Sequence, residues 1–216
     1  YCTEYVDLCC SMSLITVRPE GLYCSAGDFY IDPWRPVETA LITHAHADHA
    51  RSGSQHYVAI ASAAGVLRKR LGTSIDLQGV QYGDKLKYGD TWVSFHSAGH
   101  VLGSAQVRVE HKDEVWVASG DYKRCADPTC EPFEVVPCDV FITEATFGLP
   151  IYKWDAGEET ARQIYEWWQA DRDRPSILFC YAFGKAQRVL SELTKFTDQT
   201  VYVHGAIAAL NEIYRE

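Results

Sequence analysis

Basic residues are in short supply in this chain: 20 Lys and Arg stand against 29 Asp and Glu, for a formal net charge of −9. That balance excludes a protein that coats nucleic acid through a broad basic surface. It leaves room for an enzyme that acts on phosphates, because cations held in a cleft add positive charge where acids are used as ligands. No apolar run is long enough to span a bilayer, and the opening residues YCTEYVDLCC have neither the basic start nor the apolar centre of a signal peptide. The expected address is therefore cytoplasmic, with no membrane partner. Methionine occurs once, at Met12, and residues 1–12 are set aside as an extension upstream of the fold. None of the 8 Cys forms a C-x-x-C pair, which removes a ribbon-type metal site. Cys125 and Cys130 flank a turn that oxidation could bridge; reduced, structural thiols are the expectation.

Histidine and acid are concentrated in one place instead. In residues 41–53, LITHAHADHARSG, an apolar strand end (Leu41, Ile42, Thr43) delivers His44, His46, Asp48 and His49 within six positions. His44 and His46 are two apart, so on an extended segment their rings leave the same face. The Ala spacers then let the chain turn and bring Asp48 and His49 round. Neutral imidazoles with carboxylates suit zinc, and several ligands from one short loop leave positions open for water or substrate.

Before this loop, residues 14–32 read as short strands broken at turns, and Asp32 precedes Pro33 at a strand end. By its residues Asp32 is a turn-forming Asp-Pro. After it come a buried strand, YVAI, and a helix closed by Gly72, with Arg68, Lys69 and Arg70 complementing its dipole. Residues 91–124 alternate strands and turns. His100 and Asp121 each follow a glycine there, which permits the close or left-handed backbone of a ligand loop. Asp121 suits a bridging role, since a carboxylate can give one oxygen to each of two cations. His96 and His111 alternate with strand residues and are read as surface or pairing positions.

The strand DVFITEATFG carries Glu144, and beyond it the character of the chain changes. Helices are expected at GEETARQIYEWWQADRD, FGKAQRVLSELTKF and AIAALNEIYRE, and buried parallel strands at SILFCYA and TVYVHG. The boundary is placed near residues 149–156, dividing 13–150 from 151–216. Gly184, Lys185 and Gln187 open a helix directly after an expected strand, a geometry that aims N–H groups and a lysine at an anion. An ordinary capped helix start reads equally well.

The segments HAHADH, SAGHVLGSA, SGDYK, TEATFG and FGKAQ, in that order, resemble the β-CASP branch of the metallo-β-lactamase superfamily, which processes nucleic acids. The longer stretches are similar to the bacterial ligase-associated DNA exonuclease group, sometimes labelled mRNA 3′-end processing factor. The resemblance implies an α/β fold: an αββα sandwich over 13–150, incomplete without a later part, and the start of an inserted parallel β-CASP domain over 151–216. It implies one zinc on His44, His46 and His100, a second on Asp48 and His49, and Asp121 between them, with Mn2+ as a substitute. With weight equal to the turn reading, it also implies that Asp32 is a brace for the metal loop. Asp48, Asp121 and Glu144 become the catalytic candidates, and Ser104, Gly184, Lys185 and Gln187 the substrate-binding ones. Family members continue further and supply a histidine that pairs with the acid at Glu144. His204 in VYVHGA does not match it, so the chain is expected to be C-terminally incomplete, to bind metal poorly at the second position, and to cleave slowly or not at all.

The activity implied is zinc-dependent hydrolysis of DNA phosphodiesters in repair or processing, with DNA preferred to RNA and a functional association with a DNA ligase. The alternatives are an RNA 3′-end processing nuclease, a small-molecule hydrolase of the glyoxalase or lactamase type, and a non-catalytic scaffold. The last two are disfavoured by the segment after Glu144 and by the intact ligand candidates.

Overall fold

The computed structural model describes residues 13–215. Two sheets face each other. The first holds β1 (Ile15–Arg18), β2 (Gly21–Cys24), β3 (Phe29–Ile31), β4 (Thr39–Leu41), β5 (His56–Ile60) and β6 (Leu77–Val80), in that order. The pairs β1–β2 and β2–β3 are antiparallel, whereas β3 to β6 run parallel. The second sheet orders β11 (Val140–Ile142), β10 (Glu114–Ala118), β9 (Ala105–His111), β8 (Thr91–Ser97) and β7 (Leu86–Tyr88), antiparallel except for the β10–β11 pair.

Period-two patterning explains the sandwich. Val93 and Phe95 on β8 and Val107 and Val109 on β9 point the same way, and all are fully buried against Phe29, Ile31, Leu41 and Val58 of the first sheet. The parallel strands β4 and β5 bury both faces. Their other face, with Ala40, Tyr57 and Ala59, packs on Val66 and Leu67 of α1 (Ala64–Leu71), and Phe183 and Leu210 join the same cluster. On the outward side of the second sheet, irregular chain is hydrogen-bonded to β8 and β9: Ser97 Oγ donates to Glu131 O at 2.9 Å, and Gln106 Nε2 to Glu134 O at 2.7 Å.

Helices α2 (Gly157–Ala170), α3 (Lys185–Leu193) and α4 (Gly205–Arg215) form where the apolar spacing places them. The expected parallel strands at 176–182 and 200–205 do not: among the described residues no strand follows β11. A strand exists only as a partner in a ladder, and these segments have no hydrogen-bonded neighbour. Their apolar side chains are instead out in solvent, with Phe179 91% and Tyr202 92% exposed. Unbroken apolarity signals a tendency to be buried, not a pairing. No helix among the described residues is long and apolar enough to cross a membrane.

Candidate metal centre

Asp32 organises the metal loop. It follows β3 in a left-handed conformation (φ 44°), which Asp tolerates better than most residues. Its carboxylate accepts hydrogen bonds from Thr43 N–H (2.8 Å), Thr43 Oγ1–H (2.5 Å) and His49 Nδ1–H (2.7 Å). One side chain thus holds both the start and the end of the loop. Between them the backbone winds into a single helical turn, with Ala50 N–H donating to His46 O at 2.9 Å.

Three imidazoles and a carboxylate converge beside that turn. One ligand-competent atom from each of His44, His46, His100 and Asp121 lies within 4.8 Å of all the others. Outer contacts orient the rings. His44 Nδ1 sits 3.1 Å from Thr43 Oγ1 and His46 Nε2 sits 3.3 Å from Phe183 O, an acceptor, so His46 carries its proton on the outer nitrogen. The inner nitrogens then face one another: His46 Nδ1 is 3.0 Å from His44 Nε2 and 3.3 Å from His100 Nε2. Asp121 Oδ2 completes the group at 3.7 Å from His44 Nε2 and 3.6 Å from His100 Nε2. Converging nitrogen lone pairs and a carboxylate match the donor chemistry of a divalent ion of the zinc type.

The electrostatics agree with that chemistry. Burial, reinforced by neighbouring histidines, holds His44 well below its ordinary value and lowers His100 to about 4; burial also lowers His46. These rings are neutral at pH 7, the state in which imidazole binds a metal. His49 behaves oppositely. Burial pulls it down, but hydrogen bonds to Asp121 and Asp32 outweigh this and raise it to about 10. Asp121 is held below the usual carboxylate value, chiefly by its hydrogen bond with His49. His49 Nε2 lies 3.3 Å from Asp121 Oδ1 and 3.7 Å from Asp48 Oδ2. Asp48 and His49 therefore stand next to the four-residue group, with Asp121 touching both sets.

Two glycines make the convergence possible. Gly99 (φ 68°) and Gly120 (φ 55°) each precede a ligand candidate; a Cβ on Gly120 would lie 2.5 Å from Thr43 Oγ1, and one on Gly99 2.4 Å from Lys123 O. Glu144 is half-buried just beyond β11, accepts a hydrogen bond from Thr146 N–H (2.8 Å), and lines a cavity of about 370 Å³ with Asp48 and His49.

Three of the four substrate-binding candidates are committed elsewhere. Ser104, 1% exposed, accepts from His100 N–H (3.0 Å) and Val101 N–H (3.1 Å), so it shapes the His100 turn. The Gly184 N–H donates to Gln187 Oε1 (2.7 Å), and Gln187 Nε2 donates to Ala182 O (3.0 Å) and Asn211 Oδ1 (2.9 Å). The start of α3 is capped by its own side chain rather than open to an anion. Lys185 alone is exposed, with Nζ 5.2 Å from the Tyr181 ring centre. The FGKAQ segment instead meets the site through Phe183, whose carbonyl faces His46 and whose ring lies 5.2 Å from it.

Other candidates fall outside the cluster. His96 bridges Ser94 (3.0 Å) and Glu134 (2.9 Å), His111 Nδ1 sits 3.1 Å from Asp90 O, and His204 Nδ1 accepts from Ala206 N–H (3.1 Å) at the start of α4. Cys125 and Cys130 are free thiols; burial and Asp127 push Cys130 up to about 12. Sequence reasoning missed Thr43, Phe183 and Arg70. Arg70, read as a dipole partner, donates through Nη1 to the carbonyl of Ala45 inside the metal loop. A helix-terminal cation carries no sign in sequence of which carbonyl it reaches.

No family model matches the chain. It is 28% identical over 201 residues to a probable DNA ligase of Opitutus terrae, covering 91% of this chain and 20% of that protein. An RNase J-like protein of Methanocaldococcus jannaschii is 27% identical over 130 residues (56% of this chain, 31% of that one). Endoribonuclease YSH1 of Eremothecium gossypii is 25% identical over 203 residues (76% and 26%). The chain thus spans between 20% and 31% of the length of these relatives. In fold it is similar to a crystal structure of a protein of unknown function from Enterococcus faecalis V583, with a TM-score of 0.61 at 14% identity, over 82% of this chain and 49% of that one. The likeness to proteins that bear ligase and nuclease names thus extends over most of this chain, on a two-sheet sandwich, and agrees with the resemblance of its motifs to the β-CASP branch of the metallo-β-lactamase superfamily.

Proposed function

We propose that this chain carries the metal centre of a zinc-dependent nuclease that hydrolyses DNA phosphodiesters, an exonuclease working on the same ends as a DNA ligase. The observation that carries the reading is the convergence of His44, His46, His100 and Asp121, all within 4.8 Å, in a chain whose relatives bear ligase and nuclease names. His44, His46 and His100 would hold one ion, Asp48 and His49 a second, and Asp121 both. Bound there, zinc supplies Lewis acidity toward a phosphoryl oxygen and lowers the pKa of water.

The residues of the chain do the rest. Asp48, whose side chain is 73% exposed, is the carboxylate best placed to take a proton from an attacking water. Asp32 keeps His49 turned inward, and Phe183 O keeps the proton of His46 on the outer nitrogen. Glu144, on the wall of the same cavity, orients the group that protonates the leaving oxygen. Similarity to an RNase J-like protein and an endoribonuclease supports a second reading, RNA 3′-end processing with the same site.

The test is cleavage of end-labelled single-stranded DNA and RNA of identical sequence by zinc-loaded protein. Asp48→Ala and His46→Ala should each lower the rate about 100-fold or more. Wild-type rates in both variants would remove the site assignment, and faster RNA cleavage would select the second reading.

A further inference from the structure

We propose that Trp34 and Arg51 form a nucleotide subsite beside the metal centre, in which a base lies on the indole and the adjoining phosphate on the guanidinium. The inference rests on the nuclease reading above and names what part of the substrate the neighbouring cavity takes. Both residues line the cavity of about 370 Å³ that also reaches Asp48, His49 and Glu144. Volumes of that order suit a small ligand or one unit of a polymer.

Each residue is held by its backbone and free at its tip. Trp34 lies two positions past Asp32, its N–H donates to Glu20 O at 2.6 Å, and the residue is still 47% exposed. Among the described residues it pairs with no other aromatic ring and no cation. Arg51 lies two positions past His49; its carbonyl accepts from Tyr57 Oη at 2.9 Å, which fixes the backbone. Its exposed guanidinium makes no ion pair among the described residues, in a chain that carries an excess of acids. An unpaired guanidinium and a half-exposed indole lining one cavity, with Leu22 and Ile142 supplying apolar surface, offer an anion contact and a stacking face together.

A base can reach an indole only once it has left its neighbours, so the subsite selects single-stranded or frayed ends over duplex. Aromatic stacking tolerates every base, so little sequence preference follows.

The experiment uses the full zinc-loaded chain, a ten-residue thymidylate strand, and the same strand in a duplex. Trp34→Ala should raise KM on the single strand about 5- to 100-fold, and Trp34→Phe should recover most of that loss. Arg51→Gln should raise KM and shallow the log–log salt dependence of binding by about 1. Zinc content and thermal midpoint should match wild type in all three, which a merely structural role would not allow. Wild-type KM in Trp34→Ala, or an unchanged salt slope in Arg51→Gln, overturns the subsite while the nuclease reading stands. A wild-type chain that neither binds nor cleaves DNA or RNA overturns the nuclease reading and the subsite with it.

Discussion

Asp32 shows how much of the site hangs on a residue that binds nothing itself. Its carboxylate takes three hydrogen bonds, from Thr43 N–H, Thr43 Oγ1 and His49 Nδ1. Asp32→Ala strands those donors, and we expect a stability loss of about 2–4 kcal/mol. Zinc affinity should fall 10- to 100-fold, read by competition with a chromophoric chelator. Asp32→Asn keeps one acceptor but presents a donor to the others, so it should fall between. Ser104 gives a cleaner separation of roles. Since its hydroxyl caps the His100 turn from a buried position, Ser104→Ala should cost about 1–3 kcal/mol and weaken zinc binding. A contribution through substrate contact would instead raise KM with zinc affinity intact.

At the scale of elements, α3 is positioned by its first turn and by one buried acid. Gln187 closes the turn on itself and reaches Asn211 in α4, so Gln187→Ala should lower stability by about 1–3 kcal/mol in urea titrations without touching zinc content. Asp127, 9% exposed, meets Lys123 Nζ at 3.0 Å and Arg188 Nε of α3 at 3.6 Å. Burial alone would raise its carboxyl, but hydrogen bonds from Thr129 and Lys123 win and hold it below the ordinary 3.8. A depressed folded value means that stability is present above 3.8 and lost as the pH falls through the folded value. Asp127→Asn should therefore flatten the acid limb of stability below about pH 4, monitored by circular dichroism.

For the whole molecule, a metal bound only by the folded chain stabilises it by mass action, about 4 kcal/mol when free zinc exceeds the dissociation constant 1,000-fold. Chelation should lower the thermal midpoint by several degrees, and zinc should restore it. The exposed apolar segments act in the other direction. Phe179, Tyr181 and Tyr202 are each more than 70% exposed and offer an adhesive surface. Phe179→Lys with Tyr202→Lys should reduce self-association in light scattering and leave the midpoint in place.

Residue types and spacing alone marked the metal loop, the alternation of β8 and β9, and three helices after β11, because each is a local pattern that chemistry or period makes visible; His100 and Asp121, ordinary turn residues taken singly, became candidates only through their order behind that loop. Only the tertiary structure decided that Ser104 and Gln187 face inward, that Arg70 and the Phe183 carbonyl brace the loop, and that the apolar runs at 176–182 and 200–205 carry no ladder. Those outcomes depend on which distant group happens to stand within hydrogen-bond reach, and no stretch of chain holds that information by itself.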